Sequence, residues 1–302
     1  MNFTTTNTTN TKKTIVGSIL IDRSGSMGSI LPTLITSLHS FINETKETAE
    51  DAEECYFRIS TFSTTRSVVY PVSPPYNSDF GDLNAVDTNK INFKTYGSTK
   101  LVDSAIEELN ILSEKLDTLK DKDIMSWFVL LTDGEDNMST FGHYDLKNKI
   151  TKLKEKNVHC IFMGANIDAI KTGERFGFGM DQSIQVDMNV VTDETTAPIY
   201  QGFRSLSQNI TDSLHGNNPD MSFSTMQRTT SAPSHFTTQN TLQIPPLLQI
   251  PRYNNNSILT PPAMTRQTAV RFDDNNSILT PPAITRQTAV RLDDNNNVQR
   301  TI

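Results

Sequence analysis

Thr14-Ile15-Val16-Gly17-Ser18-Ile19-Leu20-Ile21 is an almost unbroken apolar run. A strand with one wet face alternates apolar and polar residues; a run that stays apolar has both faces covered. Cover on both faces requires helices above and below the sheet, and helices that cross between strands make those strands parallel. Ser126 to Leu131 and Val158 to Met163 carry the same signal.

The segments between these runs supply the helices. Ile30 to Glu50 places Leu31, Leu34, Ile35, Leu38, Phe41 and Ile42 at spacings of three and four, with Pro32 near its start. Lys100 to Leu119 does the same with Leu101, Ala105, Ile106, Leu109, Leu112 and Leu116. Asp145 to Lys156, Ala169 to Phe176 and Thr195 to Ile210 read as further helices, and Ser183 to Val186 as a last strand. Tyr56 to Phe62 and Ser67 to Tyr70, joined by a short Ser/Thr turn, predict an antiparallel hairpin. The order predicts a doubly wound α/β fold: a mostly parallel central sheet with one antiparallel edge strand.

This pattern stops near residue 212. Before that point 20 basic residues face 29 acidic ones; after it there is no Lys and no Glu, and seven Arg face five Asp amid Asn, Thr, Ser, Gln and Pro. Such a segment cannot bury enough apolar surface to offset its ordering entropy. The expected organisation is a Thr/Asn-rich disordered segment at 1–12, a folded domain at 13–212 and a disordered tail at 213–302. The tail repeats itself with a period of 20, in copies at 255–274 and 275–294. Two copies are too few for a stacked solenoid.

The net charge of −7 excludes a broad basic surface for nucleic acid or anionic membrane. No apolar stretch approaches the roughly 20 residues that span a bilayer, and the N-terminus has no basic start before an apolar core. Cys55 and Cys160 lie beside or within strand-like runs, as buried thiols in a reducing compartment do. An intracellular, cytoplasmic protein is expected.

Polar groups concentrate where the buried strands end. The first strand runs into Asp22-Arg23-Ser24-Gly25-Ser26-Met27, and glycines at 25 and 28 let the backbone turn sharply. The strand at Ser126 ends in Thr132-Asp133-Gly134, and Gly97-Ser98-Thr99 opens the helix at Lys100. If the strands of Asp22 and Asp133 are neighbours, Asp22, Ser24, Ser26, Thr99 and Asp133 can surround one point. All five are hard oxygen donors, suited to Mg²⁺, Mn²⁺ or Ca²⁺. Two carboxylates offset the charge of a divalent ion, and an octahedral site keeps room for an anionic ligand. A carboxylate from a protein partner fits that position.

Asp22-x-Ser24-x-Ser26, then Thr99, then Asp133-Gly134 resembles the metal-ion-dependent adhesion site of the von Willebrand factor A family. The segments 97–105 and 129–136 resemble that family's second and third motif regions, and Gly164-Ala165-Asn166-Ile167-Asp168-Ala169 is similar to a stand-alone intracellular branch found in bacteria and their viruses. The resemblance spans nearly all of residues 13 to 210, and it places Arg23 and Met27 at variable positions of the motif, which reads them as rim residues and not ligands. It implies a Mg²⁺ site (Mn²⁺ or Ca²⁺ being alternatives) in which Ser24 and Ser26 touch the metal directly. Thr99 does so directly or through water, and Asp22 and Asp133 largely through water. The implied function is non-enzymatic capture of a partner's acidic side chain.

Two rival readings differ in class. One is a scaffold whose tail carries the partner motifs, Arg228-Thr229-Thr230-Ser231-Ala232-Pro233 resembling a phosphoserine motif. The other is a metal-assisted hydrolase with Glu135 as base. None of the five histidines, His39, His143, His159, His215 and His235, adjoins a motif segment, and no Gly-x-x-x-x-Gly-Lys-Ser/Thr loop is present.

Overall fold

The computed structural model describes residues 12–72, 80–134, 136–186 and 197–231, with the last three residues described by backbone alone. The chain divides into two units, Met1–Ile244 and Pro245–Ile302, and every described residue belongs to the first. Glu135, residues 1–11 and the two tail repeats lie outside the described residues.

Seven strands form one sheet: β1 (Thr14–Asp22), β2 (Glu54–Phe62), β3 (Arg66–Tyr70), β4 (Gly81–Asp82), β5 (Ile124–Thr132), β6 (Val158–Ala165) and β7 (Ser183–Val186). Their order is β3-β2-β1-β5-β6-β7, with every neighbouring pair parallel except β2 with β3. The antiparallel edge strand is where the hairpin signal placed it. The two-residue β4 also pairs antiparallel with β2, at Tyr56 and Phe57. Nothing in so short a segment announces a strand.

The helices are α1 (Leu31–Ala49), α2 (Leu101–Thr118), α3 (His143–Lys154), α4 (Ala169–Phe176), α5 (Pro198–Leu214) and α6 (Thr225–Ser231). The unbroken apolar character of β1 and β5 has the expected cause, a core on each face. Ile15, Ile19 and Ile21 join Trp127, Val129 and Leu131 in a cluster with α1 and α5. Val16 and Leu20 join Phe128 and Leu130 in a cluster with α2, α3 and α4. Gly17 is paired in register with Trp127, whose ring occupies the space a Cβ on Gly17 would need. The absent side chain lets the largest residue of the core lie flat on the strand, edge-on to Phe41 with centroids 6.0 Å apart.

Packing continues past residue 212. Met221 and Phe223, which the composition assigns to the tail, are fully buried in the α1–α5 cluster. Among the described residues no helix is long and apolar enough to cross a membrane.

A buried charge network joins α2 to the sheet. Glu108 accepts from the Ser18 hydroxyl of β1 (2.7 Å), Arg58 Nε of β2 (2.9 Å) and Arg66 Nη1 of β3 (2.8 Å). Glu108 is wholly buried and Arg58 nearly so. The pairing fixes the position of the helix that the Gly97-Ser98-Thr99 motif leads into.

Candidate metal centre

In an open α/β sheet, a crevice forms at the carboxyl ends of the strands where the strand order reverses. Here the chain runs from β1 outward to β2 and β3, then returns to place β5 on the other side of β1. Asp22 ends β1, and Asp133 directly follows the last residue of β5. The two carboxylates therefore flank the switch point, and the neighbour relation required of their strands is present.

A chain of short contacts joins four of the five sequence-predicted residues. Asp22 Oδ1 accepts from the Ser24 amide at 2.7 Å. The Ser24 and Ser26 hydroxyls are 3.1 Å apart, and Ser26 Oγ donates to Asp133 Oδ1 at 2.9 Å. Asp22 is fully buried, and its second oxygen accepts from the Thr132 hydroxyl at 2.7 Å. Both Asp22 oxygens are thus occupied in orienting the turn. Thr99 is brought to the same edge less directly. The Gly25 amide donates to the Gly97 carbonyl at 3.2 Å, and Gly97 adopts φ +75, a conformation that favours glycine.

Burial pushes the Asp22 carboxyl above its usual range, against the hydrogen bonds from Thr132 and Ser24, and the neighbouring Asp133 adds to the rise. Burial raises Asp133 as well, opposed by the Ser26 hydroxyl. Two carboxylates of like charge in a partly desolvated crevice are individually unfavourable, and a cation between them would offset that cost. The hydroxyls of Ser24 and Ser26 lie between the two carboxylates as further oxygen donors.

Two positions differ from the sequence reading. Arg23 and Met27 are not on the rim. Arg23 is 8 % exposed: its guanidinium lies over the Tyr96 ring, 4.4 Å from the centroid, and Nη2 donates to Ser67 Oγ at 2.8 Å and to the Tyr96 hydroxyl at 2.5 Å. The turn aims Arg23 across the ends of β2 and β3, where stacking and hydrogen bonds replace its water. Met27 sits in a 3₁₀ turn, Gly25–Ser29, that points it into the α1 core.

The sequence reading also missed residues that hold the site. Thr132 orients Asp22 and binds the Gly134 amide at 3.2 Å. Asn137 clamps Thr99, its Oδ1 accepting from the Thr99 amide and its own amide donating to the Thr99 carbonyl, each at 3.0 Å. Asp136 accepts from the Leu101 amide at 2.9 Å, serving the first turn of α2 from a distant loop. Thr132 adjoins Asp133 and was open to inference. Asn137 is 38 residues from Thr99 and Asp136 is 35 from Leu101; Asp136 closes the third motif segment, but nothing local in the sequence marks either residue's bond to the start of α2.

Asp22, Ser24 and Ser26 after one strand and Asp133 after its neighbour gather polar turns at the switch point of a doubly wound α/β sheet. Residues 18–195 match the von Willebrand factor type A domain, well over half of the 302-residue chain, and the chain belongs to that family. Its fold is similar to the pilus adhesin SpaC from Lactobacillus rhamnosus GG in an open conformation, at 11% identity and a TM-score of 0.50, covering 68% of this chain and 31% of that one. A von Willebrand factor type A protein from Catenulispora acidiphila matches at 18% identity and a TM-score of 0.43, covering 66% and 42%. Proximal thread matrix protein 1 from the mussel byssus, with a zinc-occupied adhesion motif, matches at 15% and 0.43, covering 67% and 45%. The chain spans less than half the length of each of these structures. No curated protein matched the sequence.

Proposed function

We propose that this chain is a non-enzymatic, divalent-cation-dependent protein-binding module. Ser24, Ser26 and Thr99 supply neutral oxygens, Asp22 and Asp133 supply charge, and the ion captures a carboxylate of a protein partner. The observation that carries this reading is the spacing of the oxygens. Ser24 Oγ, Ser26 Oγ and Asp133 Oδ1 follow one another at 3.1 and 2.9 Å. Adjacent oxygens around a hard divalent ion, bound at about 2.1 Å by Mg²⁺ and slightly farther out by Ca²⁺, stand about 3 Å apart, so an ion can take the place of the hydroxyl protons without moving the turn. The donor set fits Mg²⁺ or another hard divalent ion.

Two carboxylates neutralise such an ion without filling its coordination sphere. An incoming carboxylate displaces water and gains a direct ionic contact in a crevice where Coulomb interactions exceed those in water. Neutral and basic side chains gain nothing comparable. The test is capture of partners from matched extracts by the full chain, with Mg²⁺ and with chelator, beside a Ser26→Ala variant. The captured partner is then remade with single acidic residues replaced. Binding should need Mg²⁺, Ser26 and one partner acid. Binding that survives chelation and disappears when the chain is cut after residue 231 would assign recognition to the tail instead.

A further inference from the structure

Eight large apolar side chains among the described residues are exposed by more than a third, and four of them, Tyr96, Met138, Phe141 and Tyr144, lie in or next to the loops that carry the candidate metal centre. Singly exposed apolar residues are ordinary on a protein surface. These are distinguished by how firmly their backbone is held. The loop at 136–141 is tied to the first turn of α2 at nearly every residue. Asn137 exchanges two bonds with Thr99. The Ser139 hydroxyl accepts from the Asp103 amide at 3.0 Å and donates to Asp136 Oδ1 at 2.6 Å. The Asp103 carboxylate accepts from the Thr140 amide at 3.0 Å and the Phe141 amide at 2.9 Å. Met138, 47 % exposed, and Phe141, 53 % exposed, therefore stand out from a fixed backbone. Tyr96, also 47 % exposed, is anchored to the first motif segment, its amide donating to the Arg23 carbonyl at 2.9 Å.

We propose that Met138 and Phe141 form an apolar rim beside the cation, and that the partner segment it fits carries a large apolar side chain next to the acid that binds the metal. This inference rests on the cation-dependent reading and deepens it by naming the partner's chemistry. A carboxylate–metal contact open to water exchanges readily, and an apolar surround that excludes water strengthens a central polar contact. The rim is already ordered, so a partner that covers it gains burial without the cost of fixing the loop. A purely polar segment would cover Met138 and Phe141 and satisfy neither.

The test selects a displayed library of random linear peptides on the full chain in Mg²⁺, with elution by chelator. The expected outcome is enrichment of Asp or Glu with Leu, Ile, Met, Phe or Trp within two positions. Synthetic copies should bind Met138→Ala/Phe141→Ala roughly tenfold more weakly than wild type, the loss expected for two half-buried apolar contacts. Mg²⁺ should still raise the melting temperature of that variant, since neither residue belongs to the ion's donor set. Acidic peptides with no apolar preference, or equal affinity for variant and wild type, would overturn the rim and leave the cation reading standing. Absence of any chelator-eluted acidic peptide would overturn both. Sedimentation of the full chain in Mg²⁺ runs alongside: a dimer that the double variant abolishes would assign the rim to a second copy of this chain and overturn the proposed partner.

Discussion

Asn137 and Thr99 hold each other by both backbone groups of Thr99: its amide donates to Asn137 Oδ1 and its carbonyl accepts from the Asn137 amide, each at 3.0 Å. Thr99 is 5 % exposed, so no ready solvent replacement exists for a lost acceptor. Asn137→Ala strands a buried amide at a cost of about 1–3 kcal/mol. Part of that cost falls on the geometry that places the Thr99 hydroxyl. We expect Asn137→Ala to weaken Mg²⁺ binding several-fold, read as the Mg²⁺ concentration that gives half the rise in melting temperature. Asn137→Asp retains the acceptor and should lose less. Equal half-points for wild type and Asn137→Ala would show that Thr99 is placed by other means.

The relation between those residues also marks what the sequence disclosed. Strands buried on both faces leave a pattern that does not depend on their neighbours, so β1, β5 and β6 were legible to within two or three residues. The order of elements then placed Asp22 and Asp133 at one edge, because parallel strands end together. Contacts between segments far apart in the chain left no such trace. Helical spacing in α2 marks Leu101, Ala105 and Leu109 as core, yet Glu108 is as deeply buried as they are. Its burial depends on Arg58 and Arg66, which arrive from β2 and β3. Met221 and Phe223 sit in a stretch whose average composition is that of a tail, and two apolar residues do not move such an average. Arg23 read as a rim residue because it falls at a variable position of the motif; instead Tyr96 and Ser67 take the hydrogen bonds of its Nη2.

Glu108 should be the most sensitive single position in this network. Its carboxylate faces Arg58 Nε at 2.9 Å and Arg66 Nη1 at 2.8 Å with no solvent access. Removing one partner of a buried ion pair leaves charge uncompensated and costs about 3–5 kcal/mol. Glu108→Ala should lower the denaturation midpoint accordingly, and Glu108→Gln should recover little, because it restores shape without charge. A joint replacement of Glu108, Arg58 and Arg66 by apolar residues of similar volume should be milder than Glu108→Ala alone. Additive losses in that series would mean that the three residues do not act as a unit.

Gly17→Ala tests the packing of Trp127. The added methyl would overlap the indole ring, which is pinned between Phe41 and Phe57 at centroid distances of 6.0 and 5.8 Å. Overpacking a close-packed core costs about 1–3 kcal/mol. Trp127 is the only tryptophan in the chain, so its emission should report the displacement directly. An unchanged emission maximum and unchanged melting temperature would refute the proposed contact.

The two thiols supply a prediction that depends on pH. Cys160 is fully buried and Cys55 nearly so, and burial pushes each thiol from an ordinary value of 9.0 up to about 12, reinforced at Cys55 by Asp82. The folded state holds both in the protonated form while the unfolded state ionises them near the ordinary value. Above that value the native chain binds more protons than the unfolded chain, so stability falls with rising pH. The stabilising contribution is therefore complete below pH 9 and is lost progressively towards about pH 12. A Cys55→Ala/Cys160→Ala chain should show a shallower decline of its denaturation midpoint over that window. Because the thiolate is the reactive species, alkylation of the native protein just below pH 9 should be slow at both sites and become fast in denaturant. Rapid labelling of Cys160 without denaturant would show that the α2-side core opens far more readily than its packing implies.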